Sequence, residues 1–287
     1  MDLEKAKERF IDYLLATNKA KNTILAYRRD LDQLIHYLKE FTQIEEITKE
    51  ELIGFMIYLA KKELTGKTRA RKAYAVRTFF RYLSNQDYVP QNPAKNLEIP
   101  KVEQKEPRVL SQTEYQALRN SAKGNTKYSA IIELLLQTGT RIGELVAIKL
   151  ENLYLSNDSK PGHILIEQGK GKKDRTITLN TPGKKAIKKY LEIRPKSNCP
   201  YLFLSKSGKL LNSRNIRYAI DRYYRKVGIR RATVHTLRHT FCTHHVVKGT
   251  SLMIIARMAG HSKLTTTQKY IHLTTEVMDE QIEKNAL

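Results

Sequence analysis

The chain has 287 residues, 40% of them hydrophobic, enough for two ordinary folded domains and too apolar for a disordered chain. It carries 52 Lys and Arg against 29 Asp and Glu, a net charge of +23. The excess is uneven, with 20 basic and 16 acidic side chains in residues 1–106 and 32 and 13 in residues 107–287. No apolar run reaches the roughly 18 residues of a membrane span. The start, MDLEKAKERF, lacks the apolar segment of a secretory signal, and two cysteines, Cys199 and Cys242, cannot make a disulfide framework. These features predict a cytoplasmic protein with a polyanionic partner, nucleic acid first, held by a salt-sensitive grip.

The first hundred residues read as helices. Leu3, Ala6, Phe10 and Leu14 fall near helical spacing, and Ile24, Tyr27, Leu31, Leu34, Ile35 and Leu38 make a clearer stripe. Thr48 and Glu51 form a capping box ahead of a third helix over 52–64. A fourth, from about 67 to 84, carries Lys67, Arg69, Arg71, Lys72, Arg77 and Arg81 and no acidic residue. Tyr74, Phe79, Phe80 and Leu83 can supply its buried face. A basic face is by default merely solvated, but the neighbouring helices are acid-rich. That segregation of sign points to a DNA-facing surface with Lys67, Arg69, Arg71, Lys72 and Arg77 as contacts. Pro90, Pro93, Pro100 and Pro107 break the periodicity, so residues 1–84 are expected to form one domain, 85–107 a linker and 108–287 a second domain.

Ser111 and Glu114 open the second domain with another capping box. An apolar helix over Ile131–Gln137 stops at Thr138-Gly139, and a helix resumes over Arg141–Leu150. Two alternating runs, His163–Glu167 and Arg175–Leu179, flank Gly169-Lys170-Gly171-Lys172-Lys173 and predict a β-hairpin with a basic turn. Pro182 suits a first helical turn. Further helices are expected at about 183–193, 213–227, 235–248, 251–259 and 265–272, with a short one in the tail from 275. The fold class is therefore mainly α with a small β-hairpin.

The densest polar chemistry lies between His235 and Tyr270. His235 and Arg238 are three apart, on one helix face. His235 and His239 are spaced i, i+4 like a helical zinc pair, with Cys242, His244 and His245 nearby. Thr236, however, stands where a metalloprotease has Glu. No nucleophile elbow and no Walker sequence is present. Taken singly, Arg141 reads as a surface residue and Tyr270 as a packing tyrosine.

Five segments together resemble the phage integrase family, the tyrosine recombinases, and its compact Xer-type members above all. Thr138-Gly139-Thr140-Arg141-Ile142-Gly143-Glu144-Leu145 is similar to the first arginine box, and Gly169 to Arg175 to the lysine-bearing β-turn. His235-Thr236-Leu237-Arg238-His239 is similar to the His-x-x-Arg box, and Ala259-Gly260-His261-Ser262 with Thr266 to Tyr270 to the terminal box. Asn22-Thr23 through Ala26-Tyr27-Arg28-Arg29-Asp30-Leu31 resembles the N-terminal domain. The resemblance implies a four-helix, SAM-like core-binding domain followed by a mostly α catalytic domain. It implies that Tyr270 attacks a DNA phosphodiester, giving a 3′-phosphotyrosyl link and a 5′-hydroxyl. Arg141 and Arg238 would bind the nonbridging oxygens, and His235 and His261 would donate to the phosphate. His235 would help deprotonate Tyr270, and Lys170 would protonate the leaving oxygen. Glu144 and His239 would support the site, and Lys172, Lys173 and Arg175 would join the DNA contacts.

No metal or other cofactor is implied, because the phosphotyrosyl link keeps the bond energy for rejoining. The partners implied are double-stranded DNA at a core site and a homotetramer, or paired recombinases, acting through a Holliday junction on the nucleoid. The setting is chromosome-dimer resolution or mobile-element resolution or integration. The tail, 275–287, with Val277, Ile282 and Leu287, would pack on a neighbouring subunit. A type IB topoisomerase-like enzyme, a catalytically silent regulator and a ribosomal protein compete with this reading. The six filled catalytic positions and the two-domain layout weigh against them.

Overall fold

Asp2 opens the first helix by accepting the Lys5 amide at 2.7 Å, which satisfies a donor that the helix start leaves orphaned. The chain then runs through α1 (Leu3–Ala16), α2 (Lys21–Tyr37), α3 (Lys49–Lys61) and α4 (Gly66–Asn85). The capping box of Thr48 and Glu51 starts α3, and Thr65 caps α4 through the Thr68 amide. Phe10, Leu31, Leu34, Phe55, Phe79 and Phe80 are fully buried between these helices, and Phe10 meets Phe79 edge-on at 5.5 Å. Tyr74 does not join them. The buried residues of α4, from Ala70 through Val76 and Phe79 to Leu83, fill one side, and Tyr74 is exposed. Val89, Ala94 and Leu97, from the proline-rich stretch read as a linker, are part of this same core.

This computed structural model describes residues 1–41, 43–102, 106–156, 160–167, 174–261, 265–268 and 270. The chain separates into two units, Met1–Lys105 and Glu106–Leu287. Lys170, Lys172, Lys173 and the tail from 275 lie outside the described residues. Among the described residues no helix is long and apolar enough to cross a membrane.

In the second unit α5 (Gln112–Ala122) and α6 (Thr126–Thr138) begin at Ser111 and Asn125, each accepting a backbone amide three residues on. Buried Ile131, Leu134 and Leu135 make α6 the centre of the core, against α8 (Thr181–Ile193) and α10 (Val234–Val247). Gly139 ends α6 in the left-handed region at φ 60°, where a Cβ would also strike the Phe241 ring. The helix expected to run to Leu150 is shorter, α7 (Ile142–Ala147). Beyond it the backbone turns outward to pair with another segment: Leu202 donates to Ile148 at 2.7 Å and Leu150 to Pro200 at 2.8 Å.

The expected hairpin is present as β2 (Gly162–Ile166) and β3 (Arg175–Leu179), antiparallel with Ile164 opposite Ile177. Alternation buries Ile164, Ile166, Ile177 and Leu179 on one face. A third strand, β1 (Leu153–Tyr154), pairs with β2. Two residues are too few to carry a period. The remaining helices are α9 (Ser213–Lys226), α11 (Leu252–Ala259) and α12 (Thr265–Gln268).

Candidate active site

Three helix ends meet in the second unit. The turn from α6 to α7 is set by buried threonines: Thr138 donates to the Leu134 carbonyl at 2.6 Å, and its hydroxyl lies 3.0 Å from that of Thr140. Arg141 then stands at the N-cap of α7, with Glu144 as the third helical residue. Glu144 accepts the Arg141 amide at 2.8 Å and its Nη1 at 3.0 Å. The cap position thus fixes both ends of the Arg141 residue.

On α10, His235, Arg238, His239 and Cys242 follow at i, i+3, i+4 and i+7 and share one side. Arg238 is 6% exposed, and its Nη1 donates to the Gly139 carbonyl at 2.6 Å and the Ala259 carbonyl at 2.5 Å. Its Nη2 is buried with no hydrogen-bond partner among the described residues. Burial first, and the Arg141 charge second, push the Arg238 pKa down to about 10, so it stays cationic at neutral pH. A buried cationic donor without an acceptor is costly, and an anion supplies what it lacks.

The C-terminus of α11 gathers three guanidiniums. Ala259 accepts from Arg238 and, at 3.5 Å, from Arg141, while Met258 accepts Nε of Arg175 at 3.3 Å. Carbonyls at a helix C-terminus are negative, so they hold cations without cancelling a full charge. Gly260 ends the helix at φ 68°, and His261 follows. His261 Nδ1 lies 2.8 Å from the hydroxyl of buried Thr267. Burial, then Arg238 and Arg141, bring the His261 pKa down to about 4, so the ring is neutral at pH 7. His235 is more open; desolvation and the charges of Arg238, Arg217 and Arg141 hold its pKa below the usual histidine value.

Tyr270 is 2% exposed and packs with Phe241, Cys242, Ile255 and Ala259. Its hydroxyl lies 2.6 Å from His239 Nδ1, so His239, and not His235, is the base in contact with it. Burial, with the Cys242 thiol beside it, pushes the phenol well above its ordinary pKa, against the opposing pull of Arg238.

Arg141, Arg238 and His261 are thus brought together, with Glu144 at their edge. Two expected DNA contacts are not on the surface. The Arg175 side chain is 8% exposed and ion-paired with Glu144, and the Lys72 side chain is 9% exposed and bonded to buried Asp30 at 2.8 Å. Lys72 falls on the core side of α4, where a charge needs a carboxylate. Lys67, Arg71 and Arg77 are exposed and Arg69 is half-buried. Among the described residues no three His, Cys, Asp or Glu side chains are placed to hold a metal ion, His235, His239 and Cys242 included.

The helix expected at about 213–227 is α9, and its basic face was not among the expected DNA contacts. Its buried residues Ile216, Ala219, Ile220, Tyr223 and Tyr224 leave Arg214, Arg217, Tyr218, Arg222, Arg225 and Lys226 outward, with Asp221 the one acid. That strong amphipathic split was legible, and Arg217 is close enough to His235 to bear on its charge.

Residues 108–276 match the Phage integrase family, and residues 8–87 match the Phage integrase, N-terminal SAM-like domain. The tyrosine recombinase XerC of Leptospira interrogans is 33% identical over 294 residues, covering 98% of this chain and 93% of that protein. The tyrosine recombinase XerD of Listeria monocytogenes is 31% identical over 284 residues, covering 93% of each. A lambda integrase tetramer bound to a Holliday junction has a chain of the same fold, with a TM-score of 0.78 at 18% identity, covering 94% of this chain and 77% of that one.

Proposed function

The chain belongs to the phage integrase family and is a tyrosine recombinase, a site-specific recombination enzyme, and from that premise we propose that Tyr270 is its nucleophile toward a DNA phosphodiester. The Tyr270 oxygen bonds to phosphorus, the bond from phosphorus to the 5′-oxygen breaks, and a 3′-phosphotyrosyl link and a 5′-hydroxyl result. A free phenol has a pKa of about 10 and is scarcely ionised at neutral pH. The proton therefore needs a base, and His239 is the one in contact with it. Arg141 and Arg238 bind the nonbridging oxygens, where charge builds in the transition state, and His261 and His235 donate beside them. Lys170 protonates the leaving oxygen, a role that rests on its place in the sequence. Attack by a second 5′-hydroxyl reverses the step on a new strand and needs no cofactor.

The observation that carries this reading is Nη2 of Arg238, a buried cationic donor with no acceptor in the described chain. A phosphate oxygen fits it, bracketed by Arg141 and His261. The outward cations of α9 and of Lys67, Arg71 and Arg77 on α4 supply the duplex contacts. Exchange between two core sites requires four active sites, so the assembly is a tetramer on two duplexes, as lambda integrase forms on a Holliday junction. Such a substrate puts the enzyme on the nucleoid, in the cytoplasm. The same chemistry serves chromosome-dimer resolution and the resolution or integration of mobile elements.

A suicide substrate nicked beside the cleavage point tests the reading. Wild type forms a covalent protein–DNA adduct without divalent metal, and Tyr270→Phe binds DNA but forms none. An adduct that needs magnesium, or that survives Tyr270→Phe, contradicts it.

A further inference from the structure

We propose that Arg175 is a positioning residue for strand cleavage, which occupies the Glu144 carboxylate so that Arg141 keeps its guanidinium for the scissile phosphate. The proposal rests on the recombinase reading above and goes beyond it to a residue whose sequence context suggested a DNA contact.

The geometry is a two-pronged ion pair. Nη1 of Arg175 lies 3.1 Å from Oε1 of Glu144 and Nη2 lies 2.8 Å from Oε2. This parallel fork is the strongest arrangement a guanidinium and a carboxylate adopt. Arg141 meets the same carboxylate only through its amide and Nη1, and its side chain is 41% exposed. Burial alone would raise the Glu144 pKa; the Arg175 bonds, the Arg141 amide and the two guanidinium charges outweigh it and hold the group ionised.

Charge explains why a second arginine is needed. Glu144 fixes Arg141 at the helix start, but a lone carboxylate there would compete with phosphate for Arg141. With Arg175 as its counter-ion, Glu144 orients Arg141 without cancelling it. Arg141, Arg175, Arg238 and Glu144 then sum to +2, against a phosphodiester that gains negative charge in the transition state.

A second observation is the seat built for the guanidinium. A Cβ on Gly260 would come 2.6 Å from Cζ of Arg175 and 2.7 Å from Nη1, so a side chain at residue 260 would push the guanidinium out of this seat. Nε of Arg175 donates to the Met258 carbonyl at 3.3 Å. One side chain therefore joins β3, the start of α7 that carries Arg141, and the end of α11 that precedes His261. In sequence, Arg175 is also the first strand residue after the segment that carries Lys170.

The test is single-turnover cleavage of the nicked substrate at saturating DNA, beside DNA affinity measured across salt, with the full chain. Arg175→Met lowers cleavage about 10²-fold, with Kd within about threefold and the same salt slope, because the residue does not face the duplex. Adding Glu144→Gln removes the unbalanced carboxylate and recovers about tenfold of the loss. Arg175→Lys, a point charge that cannot bridge both oxygens, falls between. If Arg175→Met does not reach the wild-type circular dichroism, Arg175→Lys carries the test, with cleavage down about tenfold at unchanged Kd.

Three outcomes overturn the proposal alone: wild-type cleavage in the variants, a Kd loss with the salt slope reduced by about 1, or no rescue by Glu144→Gln. A wild-type protein that forms no adduct overturns the recombinase reading and this proposal with it.

Discussion

Asp30 in the first unit and Glu144 in the second are both enclosed carboxylates shared by two cations, yet the clusters around them differ in what they leave over. Asp30 accepts from Arg71 and Lys72 of α4 and ties that helix to α2. Lys72 is buried with it and Arg71 reaches outward, so the cluster is a brace with one exposed cation. Glu144 accepts from Arg141 and Arg175, but a third cation, Arg238, is held beside them by the Gly139 and Ala259 carbonyls. Backbone carbonyls hold a guanidinium without neutralising it, and one nitrogen of Arg238 is left without a partner among the described residues. The difference separates a charge cluster whose buried Lys72 is matched by a carboxylate from one that leaves a buried nitrogen of Arg238 without a partner among the described residues.

Arg238→Lys gives the largest effect. It keeps the charge and loses the planar fork, so single-turnover cleavage falls about 10³-fold while DNA affinity changes little. A variant cleaving near the wild-type rate would reduce the Glu144 cluster to a second brace. Asp30→Asn comes next, and its effect is on folding. It leaves the buried Lys72 ammonium without its counter-ion, which costs about 3 kcal/mol of unfolding free energy by urea titration. Cleavage at saturating DNA stays within about threefold. A cleavage loss without a stability loss would show that the first cluster does more than brace.

The smallest effect is spectroscopic. In the DNA-free protein an NMR titration is expected to give the His261 ring a midpoint of about 4, rising when inorganic phosphate is added. The folded ring binds its proton less tightly than an unfolded one at about 6.5, so His261 contributes stability above that pH and loses it as pH falls toward 4. An ordinary midpoint, unmoved by phosphate, would mean that neither burial nor the guanidiniums act on the ring.

Much of this was legible in the sequence because it rests on local signals. The capping boxes at Thr48 and Ser111, the stop at Gly139 and the alternation of the two strand segments each reflect short-range chemistry, and α3, α5, the end of α6 and the paired strands β2 and β3 stand where they were read. The order of Arg141, His235, Arg238, His261 and Tyr270 was likewise readable. The partners of those residues were not. Arg175 looks like a surface cation beside a basic turn, and only the fold brings it against Glu144, thirty-one residues earlier, and Gly260. Lys72 stands in an all-basic helix, and its burial depends on Asp30 from another helix. His235 was given contact with Tyr270 by motif position, while the fold places the Tyr270 hydroxyl against His239. The strand Leu153–Tyr154 exists only as an edge for β2.

Peptide mapping of the protein–DNA adduct tests the central claim most directly. After nuclease and protease digestion, the account predicts that the nucleotide remnant is carried on the Tyr270 phenolic oxygen, with no divalent metal in the reaction. A remnant on any other residue, or an adduct that appears only with metal, would contradict it.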